Sequence, residues 1–196
     1  MVQTPAQTLA LEEFLKLPEI EPASEYIDGR VIQKPMPQGE HSAIQTELPP
    51  AINSVVKPKQ IARAFTELRC TYPAGSRSSV YGGRSIVPDI SVFTWSRIPR
   101  KENGGVANVF SIAPDWTIEI LSPDQSQTKV TKNILHCLKY GTQMGWLIDP
   151  EEQSVFVYLP DQPTVFYDES TAQLPVPAFA SDFNLTVEGL FRWLLE

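Results

Sequence analysis

The 196 residues suffice for one domain, 42% of them are hydrophobic, and the formal net charge is −7. That apolar content allows a sizeable core, whereas the acidic balance excludes a protein that coats nucleic acid through bulk positive charge. No apolar run approaches the roughly 18–20 residues of a membrane-spanning helix, and Met1 to Ala10 carries neither the basic nor the apolar region of a secretion signal.

In chain order, Leu9, Leu11, Phe14, Leu15 and Leu17 make a helical apolar face over Thr8 to Leu17, with Thr8 as N-cap and Pro18 as the stop. Tyr26-Ile27 and Val31-Ile32 flank Asp28-Gly29, a strong hairpin dipeptide. From His41 to Val56, Ile44, Leu48, Ile52, Val55 and Val56 recur at helical spacing, and Pro49-Pro50 predicts a kink or two shorter helices there. Ile61 to Tyr72 and Ile86 to Trp95 read as strands on either side of a Gly/Ser/Arg loop from Pro73 to Arg84. Ser96 to Ala113 is polar and glycine-bearing, as in a surface insertion. Trp116 to Leu121 is nearly all apolar, which predicts a central strand covered on both faces. Lys129 to Tyr140 reads as a helix closed by Gly141, Met144 to Ile148 as a buried strand, and Val155 to Leu159 as its hairpin partner. Val187 to Leu195 predicts a terminal amphipathic helix. Cys70 and Cys137 lack metal-ligand spacing and fall in strand and helix, so reduced core thiols in the cytoplasm are expected.

A charge inside an apolar strand costs free energy unless it is paired or bound to metal. Asp89, within Ile86 to Phe93, and Glu119, within Trp116 to Leu121, fit that description. If the two strands pair, both carboxylates can share a hard cation such as Mg²⁺, which needs only one or two of them. The structural alternative has Asp89 capping a turn after Pro88 and Glu119 in an internal ion pair. The loop Arg77 to Arg84 combines two arginines with Tyr81 and glycines, a composition suited to phosphate contact and base stacking or to an ordinary hairpin. Neither a Gly-x-Ser-x-Gly elbow nor a Gly-x-x-x-x-Gly-Lys loop occurs.

Pro88-Asp89 followed by Ile118-Glu119-Ile120-Leu121-Ser122-Pro123 resembles the PD-(D/E)XK nuclease superfamily. More closely, the chain is similar to a large bacterial family of restriction-endonuclease-like proteins, numerous in cyanobacteria. Glu25-Tyr26-Ile27-Asp28-Gly29, Gly39-Glu40-His41-Ser42 and Gly145-Trp146-Leu147-Ile148-Asp149-Pro150 carry that resemblance between about Leu9 and Tyr158. It implies an α/β (α+β) fold, with a mixed central sheet flanked by helices and β-hairpin extensions. One domain over 1–196 would have its core at about 41–150, a helix and hairpin at 8–32, and a C-terminal extension at 151–196.

The resemblance further implies that Asp89, Glu119 and the main-chain carbonyl of Ile120 hold Mg²⁺ or Mn²⁺. The superfamily lysine two residues after the glutamate is replaced by Leu121, and the related family's basic position in the next helix is Asn133. Lys129, one turn earlier on the same face, and then Lys132 are the candidates for a migrated lysine. Glu25 could orient the site or merely open the hairpin. His41 could move a proton or bind phosphate, or could simply start a helix. Glu67 could reach the metal through water, or pair with Arg63 or Arg69. Arg77 and Arg84 are candidate nucleic-acid contacts.

The expected activity is metal-assisted hydrolysis of DNA, with a homodimer as one way to supply two sites to a duplex. A catalytically inactive nuclease-fold protein that binds nucleic acid or a protein partner is the alternative, favoured by Leu121 and the acidic charge. A different metal-dependent hydrolase using the same carboxylates is the third reading.

Overall fold

The protein is described by a computed structural model over residues 9–72, 83–123 and 125–195. Thr8, Arg77 and Tyr81 lie outside those residues. The expected first helix contracts to α1 (Leu11–Phe14), whose Glu13 carboxylate accepts the Ala10 backbone N–H at 3.1 Å. Of its apolar face only Phe14 is buried, while Leu15 and Leu17 stay about half exposed, so little packing rewards a longer helix.

β1 (Ser24–Ile27) and β2 (Arg30–Gln33) form the hairpin that Asp28-Gly29 predicts, with Ile27 opposite Arg30. Asp28 and Gly29 have φ of 48° and 91°. Two successive left-handed residues are what a type I′ turn requires.

α2 (Gly39–Val56) runs through Pro49 and Pro50 as one helix rather than two. Ile44, Leu48, Ile52 and Val56 are 0–1% exposed along one face. Burial at about 1.5–3 kcal/mol per side chain outweighs an interior proline's roughly 3 kcal/mol.

The two long strands expected from Ile61 to Tyr72 and Ile86 to Trp95 are each broken in two. They become β3 (Ala62–Thr66), β4 (Cys70–Tyr72), β5 (Arg84–Ile86) and β6 (Ile90–Thr94). β3 pairs with β6 and β4 with β5, both antiparallel and in one continuous register, with Thr66 opposite Ile90 and Cys70 opposite Ile86. They are thus two halves of one bent ribbon. The bend falls where Glu67 takes φ 47° and where Pro88 has no N–H to give. Asp89 therefore sits at the bend, just ahead of β6, and not inside a strand.

Beyond the bend the halves join different sheets. β5 pairs with β1, giving the order β2-β1-β5-β4, whereas β6 pairs with β7 (Trp116–Ile120) in a six-stranded sheet. That sheet continues through β8 (Met144–Asp149), parallel to β7, then β9 (Ser154–Tyr158) and the edge strand β10 (Val165–Tyr167), for a full order β10-β9-β8-β7-β6-β3. α3 (Gln127–Lys139) supplies the parallel crossover between β7 and β8, and Gly141 after it has φ 105°. The segment read as a surface insertion also feeds the core. Phe110 is buried, with its ring 4.9 Å from Phe93 and 5.7 Å from Phe65.

α4 (Val187–Arg192) ends earlier than expected and is capped by Thr186 Oγ1, which accepts the Gly189 N–H. Leu174, Phe183, Leu190 and Phe191 pack with α2 and the central strands, so the C-terminal region is part of the main core. On the other face of the large sheet, α3 lies so close to β8 that a Cβ at Gly145 would overlap Ile134 Cγ2. Gly145→Ala is expected to destabilise the protein by about 1–3 kcal/mol, read as a lower urea midpoint at unchanged slope.

Candidate active site

The fork between the two sheets brings acidic residues together from three places. Glu25 projects from β1, Asp89 sits at the ribbon bend, and Glu119 projects from β7; all three are buried. Both oxygens of Glu25 and of Asp89 have partners, whereas one of Glu119 has none among the described residues. Glu25 Oε1 accepts the Val87 N–H at 2.9 Å and Oε2 accepts from Asn133 Nδ2 at 3.1 Å. Asp89 Oδ2 accepts the Ile120 N–H at 2.7 Å, which ties the bend to β7. Asp89 Oδ1 receives Lys34 Nζ at 2.6 Å and lies 3.5 Å from His41 Nε2. Glu119 Oε1 is buried with no hydrogen-bond partner among the described residues, and so is Asn133 Oδ1.

The orphaned oxygen of Glu119 sets it apart from an ordinary structural acid. Asp115, equally buried, is satisfied by the Thr94 N–H and hydroxyl, Arg97 and Gln143. A buried polar atom left unpaired costs about 1–3 kcal/mol, a cost that Glu119 carries and Asp115 does not.

Charge within the cluster is strongly shifted. Burial alone would raise the Asp89 carboxyl, but the Lys34 ammonium and the His41 contact hold it well below the usual carboxylate range. Burial, and then the negative charge of Asp89, push Glu119 well above that range. Burial also raises Glu25, against the opposing pull of Lys34. Burial would lower Lys34, yet the carboxylates of Asp89, Glu119 and Glu25 together raise it above an ordinary lysine.

Lys34 is the member that sequence reasoning missed. It follows β2 immediately, its side chain is 13% exposed, and Nζ also donates to the Val87 carbonyl at 2.7 Å. Nothing in Gln33-Lys34-Pro35 marks it, because its partner lies far along the chain. His41 is fixed by Ser122 Oγ, 3.1 Å from Nδ1. Glu67 is exposed and receives a 3.4 Å contact from Gln45 Nε2. Neither arginine weighed for Glu67 pairs with it among the described residues: Arg69 binds Glu19, and Arg63 lies over the Phe65 ring.

Lys129 and Lys132 are exposed and make no ion pair among the described residues. They line a cavity of about 700 Å³ between the β1–β2 hairpin and α3, with Arg30, Arg84 and Glu119 also on its wall. Arg84 donates to the Lys132 carbonyl and lies 3.4 Å from Asp28, with its buried Nε lacking a partner among the described residues. A second, smaller cavity, about 150 Å³, is lined by Asp89, His41 and Glu67.

The donor set suits a hard divalent cation. Two carboxylates repel one another, and one of them keeps an unused oxygen, which is the situation such a cation relieves. Asp89 and Glu119 would hold it. Residue 120 turns its N–H toward Asp89 while the next residue, Leu121, donates to Ile148. In a strand the N–H and C=O of one residue point the same way, so the Ile120 carbonyl faces the Asp89 side. No group of three or more His, Cys, Asp or Glu side chains gathers at metal-binding geometry among the described residues. A two-carboxylate site completed by water is the kind that fits.

A mixed sheet and flanking helices around an acidic, lysine-bearing cluster define a restriction-endonuclease-like nuclease fold. The chain belongs to the Uma2 family, described as "Putative restriction endonuclease", whose family model matches residues 11–188. It is 69% identical to a protein from Anabaena variabilis ATCC 29413 whose crystal structure is described as that of "a putative nuclease belonging to DUF820". The two superpose with a TM-score of 0.89 over 95% of this chain and 99% of that one. A comparison with curated proteins returns no match. No described helix is long and apolar enough to cross a membrane.

Proposed function

We propose that the protein is a Mg²⁺- or Mn²⁺-dependent endonuclease that hydrolyses phosphodiester bonds in DNA, with Asp89 and Glu119 as the ion's ligands. The carrying observation is the buried oxygen of Glu119, near Asp89, that has no partner among the described residues. When bound, the ion supplies positive charge to the phosphate and makes a water easier to deprotonate. The chain's own residues do the rest. Asp89 is locked in one orientation by the Ile120 amide, and Glu25 is locked by Val87 and Asn133. His41, held by Ser122, stands close enough to steady Asp89.

Lys129, Lys132, Arg84 and Arg30 line the wall of the larger cavity and suit phosphate groups flanking the scissile bond. In the reaction a water oxygen bonds to phosphorus as one sugar-oxygen bond to phosphorus breaks. The water's proton passes to solvent, and the departing sugar oxygen takes one up. A homodimer would offer a second site for the opposite strand.

The test is cleavage of supercoiled plasmid by the purified protein in Mg²⁺ or Mn²⁺, with and without EDTA. Ion-dependent nicking or linearisation is expected. If neither ion gives cleavage while the protein still retains DNA on a gel, the inactive binding-protein reading replaces this one.

A further inference from the structure

We propose that Lys34, delivered by the β1–β2 hairpin, is the catalytic lysine of this site, and that Lys129 and Lys132 only bind substrate phosphates. The inference rests on the nuclease reading above and goes beyond it by moving the essential positive charge to a different element.

Among the described residues, no other lysine or arginine contacts Asp89, and none contacts Glu119 or Glu25. The helix position that would carry the family's basic group is Asn133, an uncharged amide that donates to Glu25. Lys129 and Lys132 line the larger cavity, exposed and without an ion pair among the described residues. Lys34, by contrast, reaches into the fork with its side chain 13% exposed and Nζ fixed by two acceptors, Asp89 Oδ1 and the Val87 carbonyl. An ammonium has three N–H groups, so one remains for a ligand.

Access points the same way. Lys34, Pro35 and Gln125 line both cavities, one holding Asp89 and the other Glu119, and Lys34 is the charged one of the three. A phosphate drawn toward either carboxylate therefore meets the Lys34 ammonium. In the reaction Lys34 keeps its proton. It acts as a fixed positive charge and hydrogen-bond donor where the phosphate gains negative charge, and no bond to it forms or breaks.

The experiment measures plasmid cleavage in Mn²⁺, and Mn²⁺ binding without DNA, for the wild type, Lys34→Met, Lys34→Arg and the double variant Lys129→Ala/Lys132→Ala. Lys34→Met should slow cleavage on the order of 100-fold while Mn²⁺ binds at least as tightly, because a repelling neighbour has gone. A merely structural lysine would not separate the two readouts in that direction. Lys34→Arg, which keeps the charge and protects the fold, should still lose most of the rate, since a planar guanidinium does not place its charge at the same point. The double alanine variant should weaken DNA binding, read as a higher DNA concentration for half-maximal cleavage. Wild-type rates in either folded Lys34 variant overturn the proposal and leave the nuclease reading standing. A wild type that binds Mn²⁺ and cuts no DNA overturns both.

Discussion

Asp89→Asn and Glu119→Gln are each expected to slow plasmid cleavage on the order of 100-fold or more, but with opposite effects on stability. Asp89 accepts from two sides, the Ile120 N–H and the Lys34 ammonium. An asparagine can offer oxygen to only one of them and sets its own N–H₂ against the other. It also strips Lys34 of its nearest countercharge. A loss of about 1–3 kcal/mol follows for that unsatisfied donor. Glu119 is already pushed toward its neutral form by burial and by Asp89. A neutral glutamine there relieves repulsion, so ion-free stability should hold or rise while Mn²⁺ affinity falls. Thermal melts with and without the ion, run beside the cleavage assay, read out both effects. Undiminished cleavage in either variant would remove these residues from the chemistry.

Trp146→Ala should destabilise the protein by about 3–5 kcal/mol. Trp146 is 0% exposed in the middle of β8, with its ring 4.8 Å from that of Trp116 on β7 in an edge-on packing. Its indole N–H donates to the Pro175 carbonyl at 3.0 Å, so the same side chain anchors the C-terminal region to the central sheet. Truncation therefore opens a cavity and frees that region at once. Urea unfolding followed by fluorescence of the remaining tryptophans should show a lower midpoint. A change under 1 kcal/mol would mean that the site collapses to fill the space.

Elements with a local cause were legible in the sequence. Asp28-Gly29 imposes its own turn, the Trp116–Ile120 run demands burial on both faces, and Gly141 ends α3 where a left-handed residue is needed. Asp89 and Glu119 stood out because charge inside apolar sequence needs a reason. The features that escaped have distant causes. A bent ribbon keeps the same two-residue alternation as a straight one, so the breaks at Glu67 and Pro88 left no trace in hydrophobic pattern. α2 survives its prolines through contacts made by other elements. Lys34 acquires its role only when the hairpin folds over the fork, and the apolar edge strand β10 is three residues long, too short a run to show alternation.

The single register shared by both halves of the ribbon also constrains how this family member can change. A one-residue insertion near Leu68 would slide β4 past β5 while β3 and β6 stayed matched. Side chains alternate across a strand, so every β4 residue would swap its inward and outward positions. Cys70 and Tyr72 would be driven out of their packing, and the shift would pull at Val87, the shared anchor of Glu25 and Lys34. Length variation should thus be confined to the residues joining β4 to β5, leaving the bend itself fixed in length.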